Sequence, residues 1–176
     1  MCLFLEYSLK NKKRHDLIEK IHTVADIQEA AKKVTTTELL DLILVSATKM
    51  NASDVHIEPG AVNFLVRFRV DGVLQDVVRM SLSAYKFLLS RIKFLAKLKM
   101  DVTAEPQDGR FSIKHGDNEV DLRVSTLPSA YGESIVMRLL GQEMQIKKLA
   151  DLGFRPDALG VIKTAIKRPH GMILNT

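Results

Sequence analysis

Three arginines in the second half of this 176-residue chain are spaced so that they could meet. Arg110 directly follows Gly109 in the run Glu105-Pro106-Gln107-Asp108-Gly109-Arg110, and Arg123 and Arg138 fall at polar positions of two later alternating segments. If those segments are neighbouring strands, three guanidinium forks converge. A planar fork of N–H donors suits phosphate oxygens, and a cluster of forks can stabilise a phosphoryl group in transfer. The ordinary alternative is local pairing, of Arg123 with Asp121 or Glu119 and of Arg138 with Glu133. Spacing alone leaves both readings open.

Asp54, His56 and Glu58 share one face of a predicted strand and invite a metal reading. Such side chains stand about 7 Å apart per step along a strand, so one ion would need ligands from other elements. A solvated or interdomain strand face is the simpler reading. The chain carries no Walker loop G-x-x-x-x-G-K-[ST], no H-E-x-x-H and no G-x-S-x-G, so no complete catalytic motif is present.

Composition narrows the classes. The chain is 46% hydrophobic and 27% charged, which is globular, and long enough to bury a core. Its 26 basic and 21 acidic residues leave a net charge of +5. That excess suits nucleotide phosphate, acidic lipid or nucleic acid, or no partner at all. Its densest cluster, Lys10, Lys12, Lys13 and Arg14, reads as a solvated lead-in. The opening MCLFLEYSLKNKKRH puts its apolar patch before its positive charge, the reverse of a signal peptide. No apolar run approaches the roughly 20 residues of a membrane span. The lone Cys2 leaves no internal disulfide and suits a reducing compartment.

The elements that must position these residues follow from periodicity. Asp16 to Lys33 reads as a helical lead-in, with Leu17, Ile21, Val24 and Ala25 apolar. Thr35 and Glu38 fit a capping box for a helix whose buried face is Leu39, Leu40, Ile43, Leu44 and Ala47. Period two from Asp54 to Asp71, the turn pair Asp71-Gly72, and Val73 to Val78 predict a hairpin system. Ser81 to Lys99 is a second helix, with Leu88, Ile92 and Leu95 inward and Lys86, Lys93 and Lys97 on a solvated face. Met100 to Gly109 is read as a loop. Three strands follow, around Phe111 and Ile113, around Val120 to Val124, and around Ile135 to Leu139, with a loop from Leu127 to Gly132.

This order predicts an α+β fold on a mainly antiparallel sheet with flanking helices. Residues 1–34 form the lead-in, 35–141 the principal domain, 142–156 a connector, and 157–176 the start of a second domain. That last piece is a helix from Pro156 or Asp157 to Lys167, then a buried strand at Met172, Ile173 and Leu174.

The run Ser53-Asp54-Val55-His56-Ile57-Glu58-Pro59 resembles the S-D-[IV]-H-[IL]-E-P signature of the type II secretion and type IV pilus assembly ATPases. Arg69-Val70-Asp71-Gly72, Pro106-Gln107-Asp108-Gly109-Arg110, Asp121 to Pro128 and Gly132 to Arg138 resemble later motifs of that family, in order. Leu152-Gly153-Phe154 and Arg168 to Leu174 match as well.

The resemblance implies a PAS-like domain followed by the first helix and strand of a RecA-like motor domain, stopping just before a Walker A loop. It implies a hexameric cytoplasmic ATPase at the inner face of the membrane, partnered by neighbouring subunits and an inner-membrane platform protein. It implies ATP and Mg²⁺ in the full-length protein, and neither bound nor hydrolysed by this piece alone. It also implies that Arg110, Arg123 and Arg138 sense nucleotide phosphate, and it gives His56 and Glu58 no chemistry. Two other classes stay open: a stand-alone, non-enzymatic interaction module, and a basic nucleic-acid-binding domain. The second lacks aromatic interleaving and a known binding motif.

Overall fold

The computed structural model describes residues 4–5, 21, 23–115, 118–140 and 149–174. The cluster Lys10 to Arg14 and the first part of the expected lead-in helix lie outside these residues. The chain divides into two compact units, residues 1–142 and 143–176.

The first unit is a helix layer on a seven-stranded sheet. Its helices are α1 (Val24–Ala31), α2 (Thr36–Lys49) and α3 (Leu82–Ala96). Its strands are β1 (Phe4–Leu5), β2 (Asp54–Pro59), β3 (Asn63–Val70), β4 (Val73–Ser81), β5 (Gln107–His115), β6 (Asn118–Ser129) and β7 (Gly132–Leu140). The order across the sheet is β1-β5-β6-β7-β2-β3-β4. Every pairing is antiparallel except the short parallel contact of β1 with β5. The expected mainly antiparallel α+β architecture is therefore present.

Local chemistry accounts for the elements. The Thr35 backbone N–H donates to the Glu38 carboxylate at 2.9 Å, and the two residues form the expected capping box. Thr23 and Asp26 cap α1 in the same way. Asp71 and Gly72 have φ of 49° and 81°, the positive values that a two-residue hairpin turn between Val70 and Val73 requires.

The segment read as a loop to Gly109 is strand from Gln107, where pairing with Thr126 of β6 begins, and four further details differ from the periodicity reading. All of residues 39–47 are buried, not one face alone, because α1 and α3 flank α2. Helix α3 stops at Ala96, where Lys97 takes a left-handed φ of 58° and Leu98 N–H closes back onto Lys93 O at 2.9 Å. The segment from Leu127 is strand, since β6 runs on to Ser129 and meets β7 at Gly132. Pro128 is tolerated there because β5 begins opposite Thr126, so the outer edge of β6 carries no ladder bond beyond it. Lys93, placed on the solvated face by its helical spacing, is instead almost fully buried.

The core lies between helices and sheet. Leu39, Ile43 and Ala47 of α2 and Leu88 and Ile92 of α3 meet Val55, Ile57, Phe64, Phe68, Leu122 and Met137 of the sheet. Ile27, Ala30 and Ala31 of α1 belong to the same core. The alternating burial of β7 leaves Val136, Arg138 and Leu140 on the opposite face.

The second unit holds a 3-10 turn at Leu149–Leu152 and helix α4 (Pro156–Ile166), with Pro156 in the first turn as expected. No residue of α4 is buried. Gly171 to Leu174 form no strand. A strand exists only when paired, and no described segment pairs with this one, so Met172, Ile173 and Leu174 stay exposed.

Candidate functional site

The sheet register brings the three predicted arginines together. Arg110 pairs with Arg123 across β5 and β6, and Arg123 pairs with Arg138 across β6 and β7. Residues directly opposite on antiparallel strands share one face. The row continues: Arg138 opposes Asp54 on β2, and Asp54 opposes Arg69 on β3. Four guanidiniums and one carboxylate thus lie in a single line across five strands. The three predicted arginines, with Asp108, Val124, Ser125 and Val136, line a shallow concavity of about 660 Å³.

Gly109 explains how β5 is seated. A Cβ at Gly109 would lie 2.3 Å from Ala96 O and 2.7 Å from Leu98 Cδ2. Only a residue without a side chain lets β5 pass this close to the end of α3. Gln107 fastens the approach. Its side chain accepts from Lys99 N–H at 2.8 Å and donates to Lys99 O at 3.0 Å and Val102 O at 2.8 Å. Arg110 follows one strand step later, on the polar face.

The members of the row are not equivalent. Among the described residues, Arg110 and Arg123 have no hydrogen-bonded or ion-paired side chain. The local pairs that spacing left open do not form: Asp121 accepts from Ser112, and Glu133 pairs with Lys93. Arg138 is bound instead to Asp54, its Nε 2.9 Å from Oδ1. Asp54 also accepts from Ser53 Oγ at 2.9 Å and lies 3.3 Å from Arg69 Nε. Burial pushes the Asp54 carboxyl up, but the hydrogen bonds from Arg138 and Ser53 and the charges of Arg138 and Arg69 outweigh it and hold it below the usual carboxylate value. The bond to Asp54 raises Arg138 in turn.

The metal reading of Asp54, His56 and Glu58 finds its carboxylates already used. Asp54 serves the arginines, and Glu58 accepts a short hydrogen bond from Arg67. His56 Nδ1 stands 4.0 Å from Glu58, and its buried Nε2 has no partner. Burial depresses the His56 pKa; Glu58 opposes this, while Arg69 and Arg67 add to it. Among the described residues no cluster of His, Cys, Asp and Glu could hold a metal ion.

Sequence reasoning missed the second group that fixes the site. Lys93 Nζ lies 2.6 Å from Glu133 Oε1 and donates to Val102 O at 2.8 Å. Tyr85 donates to the Glu133 carbonyl. Helix α3 is thereby bolted to the start of β7, five residues before Arg138. Helical spacing places Lys93 close to solvent, and only its partner across the fold reveals otherwise.

Comparison with known proteins agrees with the motifs. The family described as Type II/IV secretion system protein matches residues 29–176. The type IV pilus assembly ATPase PilB of Myxococcus xanthus is 40% identical over 159 residues, covering 90% of this chain and 28% of that protein. The type II secretion system ATPase E of Vibrio cholerae is 41% identical over 160 residues, covering 91% of this chain and 32% of that protein. The chain thus spans about a third of the length of these relatives. The X-ray structure of the Legionella pneumophila ATPase DotB is similar at a TM-score of 0.42 and 16% identity, over 73% of this chain and 35% of that one, too loosely to place any element. With the match extending over most of its length, the chain belongs to the type II/IV secretion system protein family.

Proposed function

We propose that this chain is the nucleotide-sensing part of a hexameric ATPase that powers type II secretion or type IV pilus assembly. In this reading residues 35–141 are a PAS-like domain, 142–156 a connector, and 157–176 the start of a RecA-like motor domain. The motor domain supplies the phosphate cradle, the Mg²⁺ ligands and the catalytic carboxylate. Arg110, Arg123 and Arg138 of the PAS-like domain close over the phosphates and carry the state of the nucleotide to neighbouring subunits. The hexamer works in the cytoplasm against an inner-membrane platform protein. In this reading the chain by itself does not hydrolyse ATP.

One observation carries the proposal: Arg110 and Arg123 stand directly opposite each other and neither is ion-paired among the described residues, the carboxylate of Asp108 in the same concavity being taken by Ser125. Like charges placed so destabilise a sheet. An anion that bridges the forks removes the repulsion and turns it into binding. The names of the relatives point to ATP as the source of that anion.

The test is ATP hydrolysis by the complete reading frame. Arg110→Ala and Arg123→Ala are each expected to lower kcat/KM roughly tenfold or more, the scale of one lost charge-assisted contact. Wild-type turnover in both variants would remove the assignment.

A further inference from the structure

Asp54 holds Arg138 by one particular nitrogen. The bond runs from Nε to Oδ1 at 2.9 Å, and among the described residues Arg138 has no other hydrogen-bonded side chain. Both Nη groups are therefore left over. The Arg138 side chain is 66% exposed, whereas the carboxylate that holds it is only 7% exposed. Asp54 is itself fixed from three sides, by Arg138, by Ser53 Oγ and by Arg69. A buried, anchored acid thus grips the inner nitrogen of an exposed arginine and leaves its outer fork free.

We infer that Asp54 is a positioning residue for phosphate recognition: it pins Arg138 through Nε so that its Nη pair lines up with Arg110 and Arg123 to receive a polyphosphate. This rests on the phosphate reading above and deepens it. The physical gain is pre-organisation. A free arginine loses several rotatable bonds when it binds an anion, and a pinned one has already lost them. The geometry needs a guanidinium, because only that group can give one nitrogen to a carboxylate and two to a phosphate. A lysine in this position has a single ammonium and must choose. The row also sets the ligand class. Arg110, Arg123 and Arg138 offer three charges in line, and Asp54 is shared with Arg69, so the excess suits a chain of phosphates better than one.

The experiment titrates the chain with inorganic tripolyphosphate at low ionic strength, followed by NMR of the backbone amides and the arginine side chains. Wild-type chain is expected to bind, with the Arg138 Nε–H signal kept in its Asp54-bonded position while the Nη signals move. Arg138→Lys is expected to bind roughly tenfold more weakly, close to Arg138→Ala, the scale of a lost charge-assisted contact. Adding Asp54→Asn to Arg138→Lys frees the lysine and is expected to recover most of that loss. Adding it to Arg138→Ala is expected to recover little, which separates release of the lysine from the gain of one positive charge.

Wild-type affinity in Arg138→Lys, or no recovery in the double variant, would overturn the role of Asp54. Unchanged binding in Arg110→Ala and Arg123→Ala would instead overturn the phosphate reading itself. A wild-type chain that binds no tripolyphosphate would remove both.

Discussion

Lys93 Nζ lies 2.6 Å from Glu133 Oε1, and both side chains are all but sealed from water, at 2% and 4% exposure. The pair joins α3 to the start of strand β7, and β7 carries Arg138. Breaking a buried pair strands a charge that water cannot reach. Lys93→Ala and Glu133→Ala are each expected to cost about 3–5 kcal/mol of stability. Lys93→Met with Glu133→Leu, which removes both charges and keeps the volume, is expected to cost far less than either. Urea unfolding followed by circular dichroism checks this. Equal losses in the double and single variants would show that the pair is not the cause.

Gly109 is a packing requirement. With 2.3 Å between a Cβ and Ala96 O, Gly109→Ala must push β5 away from the end of α3. A loss of about 1–3 kcal/mol is expected, the usual cost of overpacking. Gly72→Ala is the contrasting control: nothing lies within 4 Å of its Cβ, and its strain comes only from φ of 81°. The two can be compared in the same unfolding assay.

The arginines of the row are expected to separate by stability. Arg110 and Arg123 are exposed and unpaired, so their alanine variants are expected to stay within about 0.5 kcal/mol of wild type. Arg138→Ala removes a hydrogen-bond donor from a buried carboxylate and is expected to lower the unfolding midpoint below that of the other two variants. A uniform effect across the three would contradict the pairing seen here.

Two groups make stability depend on pH in the same direction. The His56 pKa is depressed from its ordinary 6.5, so the folded chain resists a proton that the unfolded chain accepts. Stability is full above pH 6.5 and falls as pH drops through the lower folded value. Asp54 is depressed from 3.8, so its contribution is full above that pH and is lost on further acidification. His56→Phe is expected to flatten the upper part of the acid limb, and Asp54→Asn the lower part. Unfolding midpoints measured from pH 8 to about 3 give the profile. A steeper limb in either variant would reverse the assignment.

Much of this protein was legible from residue order. The capping box at Thr35 and Glu38, the Asp71-Gly72 turn and the alternation of β3 and β7 are local signals, carried by contacts between residues close in the chain. They predicted the α+β class, and the ordered motifs predicted the family. The polar positions of Arg123 and Arg138 were also readable, because period two assigns each to a face, whereas Arg110 was legible only as the residue at the mouth of a strand. What only the tertiary structure decided was register and burial. That Arg110, Arg123 and Arg138 stand in one line, and that Arg138 takes Asp54 and not Glu133, depends on which residues oppose across strands 84 positions apart in the chain. That Lys93 is buried depends on a glutamate from another element reaching it. Periodicity reports which face a side chain takes on its own element. It holds no information on what another element brings to that face, and the charges that fix this site are paired across such gaps.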